Sequence, residues 1–415
     1  MRFIHTSDWH LGRSLHGRKR YDEFAGFLDW LGSAIETERV EALLVAGDVF
    51  DTTTPSNRAQ ELYYGFLGRV AQLGCCRHVV VVGGNHDSPS FLNAPREMLR
   101  AFNVHVVGAV TGNPDDEVIV LSDIDKRPQA IVCAVPYLRD TDIRKVEPGE
   151  TLADKNAKLI DGIRKHYADV CAAVRQRQDC LRREGYGDVP IIGMGHLFTA
   201  GGQVSEGDGV RELYVGSLAH VGNDVFLPCL NYVALGHLHG AQCVGGSRHV
   251  RYCGSPIAMG YGEAGQDKKV LLVELAGDQK PVVSELVVPC FKVLERVSGT
   301  LEEILGRIEQ LKREESSAWL EVEYTDLDAG ANLRETIEEA VKGTSMELLQ
   351  VKTRRTYDRV LHREHERETL DDLNVSDVFE RCLDEYEIAS EEREELKAAY
   401  SEIVRTINEE DINAE

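Results

Sequence analysis

A chain of 415 residues, 42% hydrophobic and 28% charged, has ordinary globular composition and length for two or three domains, which excludes extended disorder. It has no run of about 18 apolar residues and no apolar leader after Met1, so a membrane span is excluded, a secretory signal is not expected and a cytoplasmic protein is expected. Its 47 basic and 70 acidic residues give a net charge of −23, which argues against a uniformly basic nucleic-acid clamp but leaves room for a local groove. Residues 1–289 carry 30 basic and 36 acidic residues, a net of −6, whereas residues 290–415 carry 17 and 34, a net of −17. The ten cysteines form no C-x-x-C pair, so neither a zinc ribbon nor a redox motif is indicated.

Along the chain, short apolar runs bounded by Gly, Asp or Asn predict buried strands. They lie at Phe3-Ile4, Ala42 to Ala46, Val79 to Val82, Ile131 to Val135, Ile191-Ile192, Tyr232 to Leu235 and Val270 to Val273. Helical patterns fall between several of them, at about 21–38, 57–73 and 155–184. Early strand–helix alternation followed by β-rich sequence predicts an α/β sandwich flanked by helices over residues 1–289. From residue 290 the pattern changes to β-α-β-α-β: Phe291 to Val297, a helix at about 300–314, Trp319 to Tyr324, a helix at about 331–342, then Leu348 to Val351. This predicts a small α+β cap over 290–355, followed by a C-terminal helical segment over 356–415.

Polar clusters follow directly on the apolar runs. They are Asp8-Trp9-His10, Gly47-Asp48-Val49-Phe50-Asp51, Gly84-Asn85-His86-Asp87, Gly195-His196 and Gly236-His237-Leu238-His239. Ligands of open α/β sheets bind beyond the carboxyl ends of strands, so five such tips can meet at one site. Singly, each cluster is most often a turn; five at five strand ends, in this order, are not a chance pattern. Asp8, His10, Asp48, Asn85, His196, His237 and His239 offer oxygen and imidazole without thiolate, a donor set for Mn, Fe or Zn rather than Ca. Seven groups exceed one tetrahedral centre and suit two metals sharing a carboxylate, the arrangement that supports in-line phosphoryl displacement. The glycines at 47, 84, 195 and 236 fit tight turns where a Cβ would crowd the ligands.

These motifs resemble those of the calcineurin-type metallophosphoesterases over about the first 240 residues. The words His5-Thr6-Ser7-Asp8-Trp9-His10-Leu11-Gly12 and Tyr252-Cys253-Gly254-Ser255-Pro256 resemble, more narrowly, the nuclease branch of that family that works with an SbcC-type coiled-coil ATPase. The resemblance implies a first metal on Asp8, His10 and His239, a second on Asn85, His196 and His237, and Asp48 bridging them. It implies two divalent ions, Mn with Mg as the alternative, and cleavage of double-stranded DNA ends and hairpins. It also implies a homodimer of the chain within a heterotetramer. His86 is left to face the scissile phosphate as acid or charge stabiliser. Asp87 beside it is expected to orient that ring. Some relatives carry a His where Asp51 stands, so no role follows for Asp51.

No G-x-x-x-x-G-K-[ST] occurs, so no ATP site is expected in this chain, and the glycine-rich 201–209 reads as a loop beside the site. Arg13, His16, Arg18, Lys19 and Arg20 follow the first ligand pair and are candidates for gripping phosphates. A second basic stretch, 352–367, carries a net of only +3 and reads equally as a solvated face. Val375, Val378, Phe379, Cys382, Leu383 and Tyr386, then Leu396, Ala399, Tyr400, Ile403, Val404 and Ile407, recur at helical spacing. Two amphipathic helices are therefore predicted, and docking onto the root of the partner's coiled coil is expected of them.

Overall fold

The computed structural model describes residues 1–145, 150–199, 221–277, 280–326 and 333–353, with isolated positions between 379 and 400. Two six-stranded sheets face each other. The first holds β1 (Arg2–Thr6), β4 (Ala42–Ala46), β5 (His78–Val82), β6 (Val104–Val107), β13 (Lys269–Glu274) and β14 (Val282–Val287), in the order β14-β13-β1-β4-β5-β6. The hairpin β2 (Ser14–Leu15) and β3 (Arg18–Lys19) stands apart from it. The second sheet holds β7 (Val118–Ser122), β8 (Pro128–Ala134), β9 (Ile191–His196), β10 (Tyr232–Gly236), β11 (Gln242–Val244) and β12 (Ser247–Tyr252), in the order β11-β12-β10-β9-β8-β7. Strands β1, β4, β5 and β6 run parallel, as do β8, β9, β10 and β12, so within each sheet the carboxyl ends share one edge.

Strand β4 shows why these runs carry no polar residue. Leu43 and Val45 pack with Phe24, Phe27, Leu31, Tyr63 and Phe66 of the helices Tyr21–Thr37 and Asn57–Val70. Ala42, Leu44 and Ala46 face the second sheet, against Val132, Met194 and Ala234. Both faces are covered, so alternation disappears. On the far side the helix Leu152–Arg183 lays Ile163, Tyr167, Val170 and Val174 over Ile131, Ile191, Val233 and Leu235. The layers thus run helix, sheet, sheet, helix. Buried His5 ties the two sheets, with Nδ1 2.9 Å from Tyr232 Oη and Nε2 3.1 Å from the Leu235 carbonyl. Burial holds its pKa down at about 3, which makes it a neutral strut.

Within residues 1–289 the predicted helices and apolar runs are present. Strands β2, β3, β6, β7, β11, β12 and β14 were not predicted. β14 is an edge strand with Val282, Ser284, Glu285 and Val287 exposed, and β12 carries Arg248, His249 and Arg251 near the other edge. One open flank removes the apolar run that marks a doubly covered strand.

The following unit alternates as expected: β15 (Leu294–Gly299), the helix Leu301–Arg313, β16 (Trp319–Tyr324), the helix Leu333–Val341 and β17 (Glu347–Thr353). Its strands pair in parallel, as helical crossovers require. Thr300 and Glu303 form a capping box at the first of its helices. It seats on the larger unit through Leu15, Tyr261, Leu294 and Trp319, and through an Arg18–Glu347 pair at 2.7 Å. The glycine-rich 201–209 and the basic stretch beyond Thr353 lie outside the described residues, as do most positions of the two helices predicted from the C-terminal sequence. Among those described, the rings of Phe379 and Tyr400 stack at 3.8 Å. No helix among the described residues is long and apolar enough to cross a membrane.

Candidate metal centre

The chain enters the site from five strand ends, and the loops are zipped together by backbone. The amides of Asp8, His10 and Leu11 donate to the carbonyls of Gly47, Asp48 and Val49 at 2.9–3.0 Å. The His237 amide donates to Asp8 Oδ1 at 2.9 Å, joining the two sheets. Asp8, His10, Asp48 and His237 all have positive φ, at 53°, 47°, 51° and 106°. Side-chain-bearing residues rarely adopt that region, so four together mark a site where packing holds the backbone in a costly shape. Gly84 shows the close approach: a Cβ there would collide with the Asp48 amide and carboxylate.

Two groups of donors result. Asp8, His10 and His239 bring one ligand atom each to within 4.8 Å of one another, all buried. His10 Nε2 and His239 Nε2 lie 3.2 Å apart. In the second group Asn85 Oδ1 lies 2.9 Å from His196 Nε2 and 3.1 Å from His237 Nδ1. Asp48 stands between them, with Oδ2 3.6 Å from His10 Nε2 and 3.3 Å from His196 Nε2. The sequence-derived set of seven is therefore gathered in one place.

The chemistry of these donors fits two divalent cations. His196 Nδ1 lies 2.9 Å from the Ala46 carbonyl, which only accepts, so Nδ1 carries the proton. In the neutral ring, Nε2 then presents a lone pair toward two further acceptors, Asn85 Oδ1 and Asp48 Oδ2. Lone pairs converging in a buried space need positive charge between them. Burial opposes a charge on His196, yet the Asp48 and Asp8 carboxylates outweigh it and raise the ring's pKa to about 9. Burial also pushes Asp48 toward the neutral acid, but His196, His86 and His10 hold it well below the usual carboxylate range.

A pH dependence follows. The raised pKa, about 9, means that a cation held by His196 would have to displace its proton below that pH. Mn affinity is expected to rise up to about tenfold per pH unit from about pH 7 to pH 9 for that one proton. An ordinary imidazole would leave affinity flat above about pH 7.5. Calorimetric Mn titrations at about pH 7 and pH 8.5 check this; equal affinities would remove the charge-demanding site.

His86 reaches the same centre. Its ring lies edge-on to that of His10 at 4.7 Å, and His10, Asp48 and His86 form another set of convergent donors. Its amide donates to Asp48 Oδ1 at 2.9 Å, and its Nδ1 lies 2.9 Å from the Asp51 carbonyl. The ring is thus oriented by Asp51 main chain, whereas the sequence suggested Asp87. Asp87 instead accepts from the amides of Phe50 and Gly84 at 2.9 Å and of Val49 at 3.1 Å, which shapes the Asp48 loop. Burial, then Asp48, raises its pKa to about 7. The Asp51 carboxylate lies 3.3 Å from His10 Nδ1 and 3.2 Å from the Arg13 guanidinium.

Of the early basic residues, Arg13 stays beside the centre, and Arg18 pairs with the cap. Arg20 is internal and cannot grip phosphate: it forks onto Glu23 at 2.7 and 2.8 Å and donates to the Ala258 carbonyl. His16 stacks on Tyr261. Sequence reasoning missed Glu263 and Lys268, which stand behind His239: Glu263 Oε1 is 3.2 Å from His239 Nδ1, and both residues are buried. Glu263 lies 24 positions from His239 in no motif, so no spacing signal pointed to it.

Residues 1–241 match the family described as Calcineurin-like phosphoesterase, and residues 290–387 match the Type 5 capsule protein repressor C-terminal domain. The chain is 36% identical to the SbcD subunit of the nuclease SbcCD of Escherichia coli (strain K12), over 98% of each chain. It is 37% identical to the SbcD subunit of the same nuclease in Rhodobacter capsulatus, over 75% of this chain and 76% of that one. The Bacillus subtilis protein of the same name is 31% identical, over 79% of this chain and 80% of its own length.

Proposed function

The chain belongs to the SbcD nucleases of the calcineurin-like phosphoesterase family, and from that premise we propose that it hydrolyses phosphodiesters at double-stranded DNA ends and hairpins. As a member of that family it is a metal-dependent phosphodiester hydrolase. In our reading Asp8, His10 and His239 would hold one ion, Asn85, His196 and His237 the other, and Asp48 would serve both. Two divalent ions bound there, Mn or Mg, would supply an activated water and neutralise charge on the phosphate. The observation that carries the reading is the Asp48 carboxylate facing both donor groups, at 3.6 Å and 3.3 Å.

The chain's own residues do the rest. His86 donates Nδ1–H to the Asp51 carbonyl, which leaves Nε2 to exchange protons with the substrate. As an imidazolium, with a second proton on Nε2, it donates to the leaving oxygen or to the phosphate. Asp87 fixes the loop that presents Asp48, through its three amide bonds. Arg13, beside Asp51, offers a charge for a neighbouring phosphate.

The chain carries no P-loop, so an SbcC-type coiled-coil ATPase supplies any ATP dependence, with the acidic segment beyond residue 367 docking on it in the cytoplasm. A homodimer of this chain within a heterotetramer completes the assembly.

The test is substrate class. With Mn, the ATPase partner and ATP, the protein is expected to cut a DNA hairpin and to act weakly on para-nitrophenyl phosphate. A chain ending at Arg367 should retain Mn-dependent hydrolysis but lose co-purification with the partner. Efficient phosphomonoester hydrolysis with all DNA left intact would favour the other reading of this fold, a phosphatase of nucleotides or phosphoproteins.

A further inference from the structure

Behind the innermost donor group lies a buried charged network that the reaction as described does not use. Glu263 is 1% exposed and closes a short turn, Tyr261–Glu263. Its Oε2 accepts from Ser255 Oγ at 3.2 Å and from the Met259 amide at 3.1 Å, and pairs with the Lys268 ammonium. Lys268 also donates to the His239 carbonyl at 3.1 Å and to Ser255 Oγ at 3.0 Å. The Ser255 amide donates to that same His239 carbonyl at 3.1 Å. One oxygen of the carboxylate is thus held by the Met259 amide and Lys268, with the Ser255 hydroxyl shared between it and the Ile257 carbonyl at 3.0 Å, and the other, Oε1, faces His239 Nδ1 at 3.2 Å.

We propose that Glu263 is a positioning residue that sets the tautomer and the ring plane of His239, and through them the occupancy of the metal site shared with Asp8 and His10. An ionised carboxylate can only accept, so Nδ1 of His239 must carry the ring proton. Nε2 then presents its lone pair on the side where His10 Nε2 lies, 3.2 Å away. Lys268 neutralises the buried carboxylate and holds the His239 main chain, so ring and backbone are fixed by one ion pair. The same turn touches the cap: Tyr261 packs with Leu294 and Trp319, and His16 stacks on its ring at 5.9 Å. The proposal rests on His239 being a metal ligand.

Glu263→Gln separates positioning from support, because the amide keeps the shape of the acid. Met259 N–H and Lys268 compete for the amide oxygen, which turns the NH2 group toward His239 and makes Nδ1 an acceptor. Nε2 then takes the proton and leaves the metal. The expected result is a 10- to 100-fold loss of affinity for one of two Mn ions, the range typical of an outer partner of a metal-bound histidine, with the other ion unaffected. Unchanged affinity for both ions would overturn the proposal. His239→Ala is the control. If it loses one ion while Glu263→Gln loses none, the ligand reading stands and the positioning role falls. If it keeps both, the ligand reading falls and takes the proposal with it. Nitrogen NMR of histidine-labelled wild-type protein loaded with zinc needs no variant. A protonated Nδ1 and a coordinated Nε2 on His239 are expected, and the reverse assignment would refute the role.

Discussion

Asp48→Ala is expected to abolish phosphodiester hydrolysis, a loss of more than about 10³-fold, beyond the 10- to 100-fold typical of an outer partner of a metal ligand. The reason is geometric. Asp48 Oδ2 faces both His10 and His196, at 3.6 Å and 3.3 Å, and Oδ1 accepts the His86 amide at 2.9 Å. One side chain therefore serves two donor groups and the loop of the candidate acid. With two cations held as proposed, the alanine variant would have no carboxylate between them, and their mutual repulsion would weaken both sites at once. The change should leave the fold intact, because Ala42 to Ala46 of β4 are buried in both core clusters upstream of the loop. Hydrolysis of a DNA hairpin with Mn is the readout, and retention of more than a tenth of the activity would count against a bridging role.

His86→Ala is expected to keep both metals and still lose about 10²- to 10⁴-fold in turnover, the usual contribution of general acid catalysis. The His86 amide bond to Asp48 is kept by alanine, and its ring, which reaches the centre beside His10, is held by the Asp51 carbonyl at 2.9 Å. The loss should fall on kcat, with metal content unchanged. A fall of less than tenfold with both metals present would take His86 out of the chemistry, and loss of one metal would make it a ligand instead.

Legibility in the sequence followed burial. Ala42 to Ala46 could be read residue for residue, because a strand covered on both faces excludes polar side chains. The seven metal-candidate residues were legible for a different reason: each follows an apolar run with a glycine or tight turn between, which is how a strand end presents ligands. Side-chain direction was not legible. His86 and Asp87 are adjacent, which suggested contact, but the Asp87 carboxylate turns back to the amides of Val49, Phe50 and Gly84. Arg20 looked like part of a phosphate grip because its neighbours are basic. Glu23, three residues on, was the available signal that it is paired, since such spacing brings the two side chains together at a helix start. Glu263 left no trace, because contacts between distant loops obey no spacing rule.

The most direct measurement is the number of Mn ions bound per chain, in the wild type and in Asp48→Ala, by elemental analysis after equilibrium dialysis. The account predicts two per wild-type chain and none in the variant, with hydrolysis lost in step. A wild-type chain that binds a single ion, or an Asp48→Ala chain that keeps two, would contradict it.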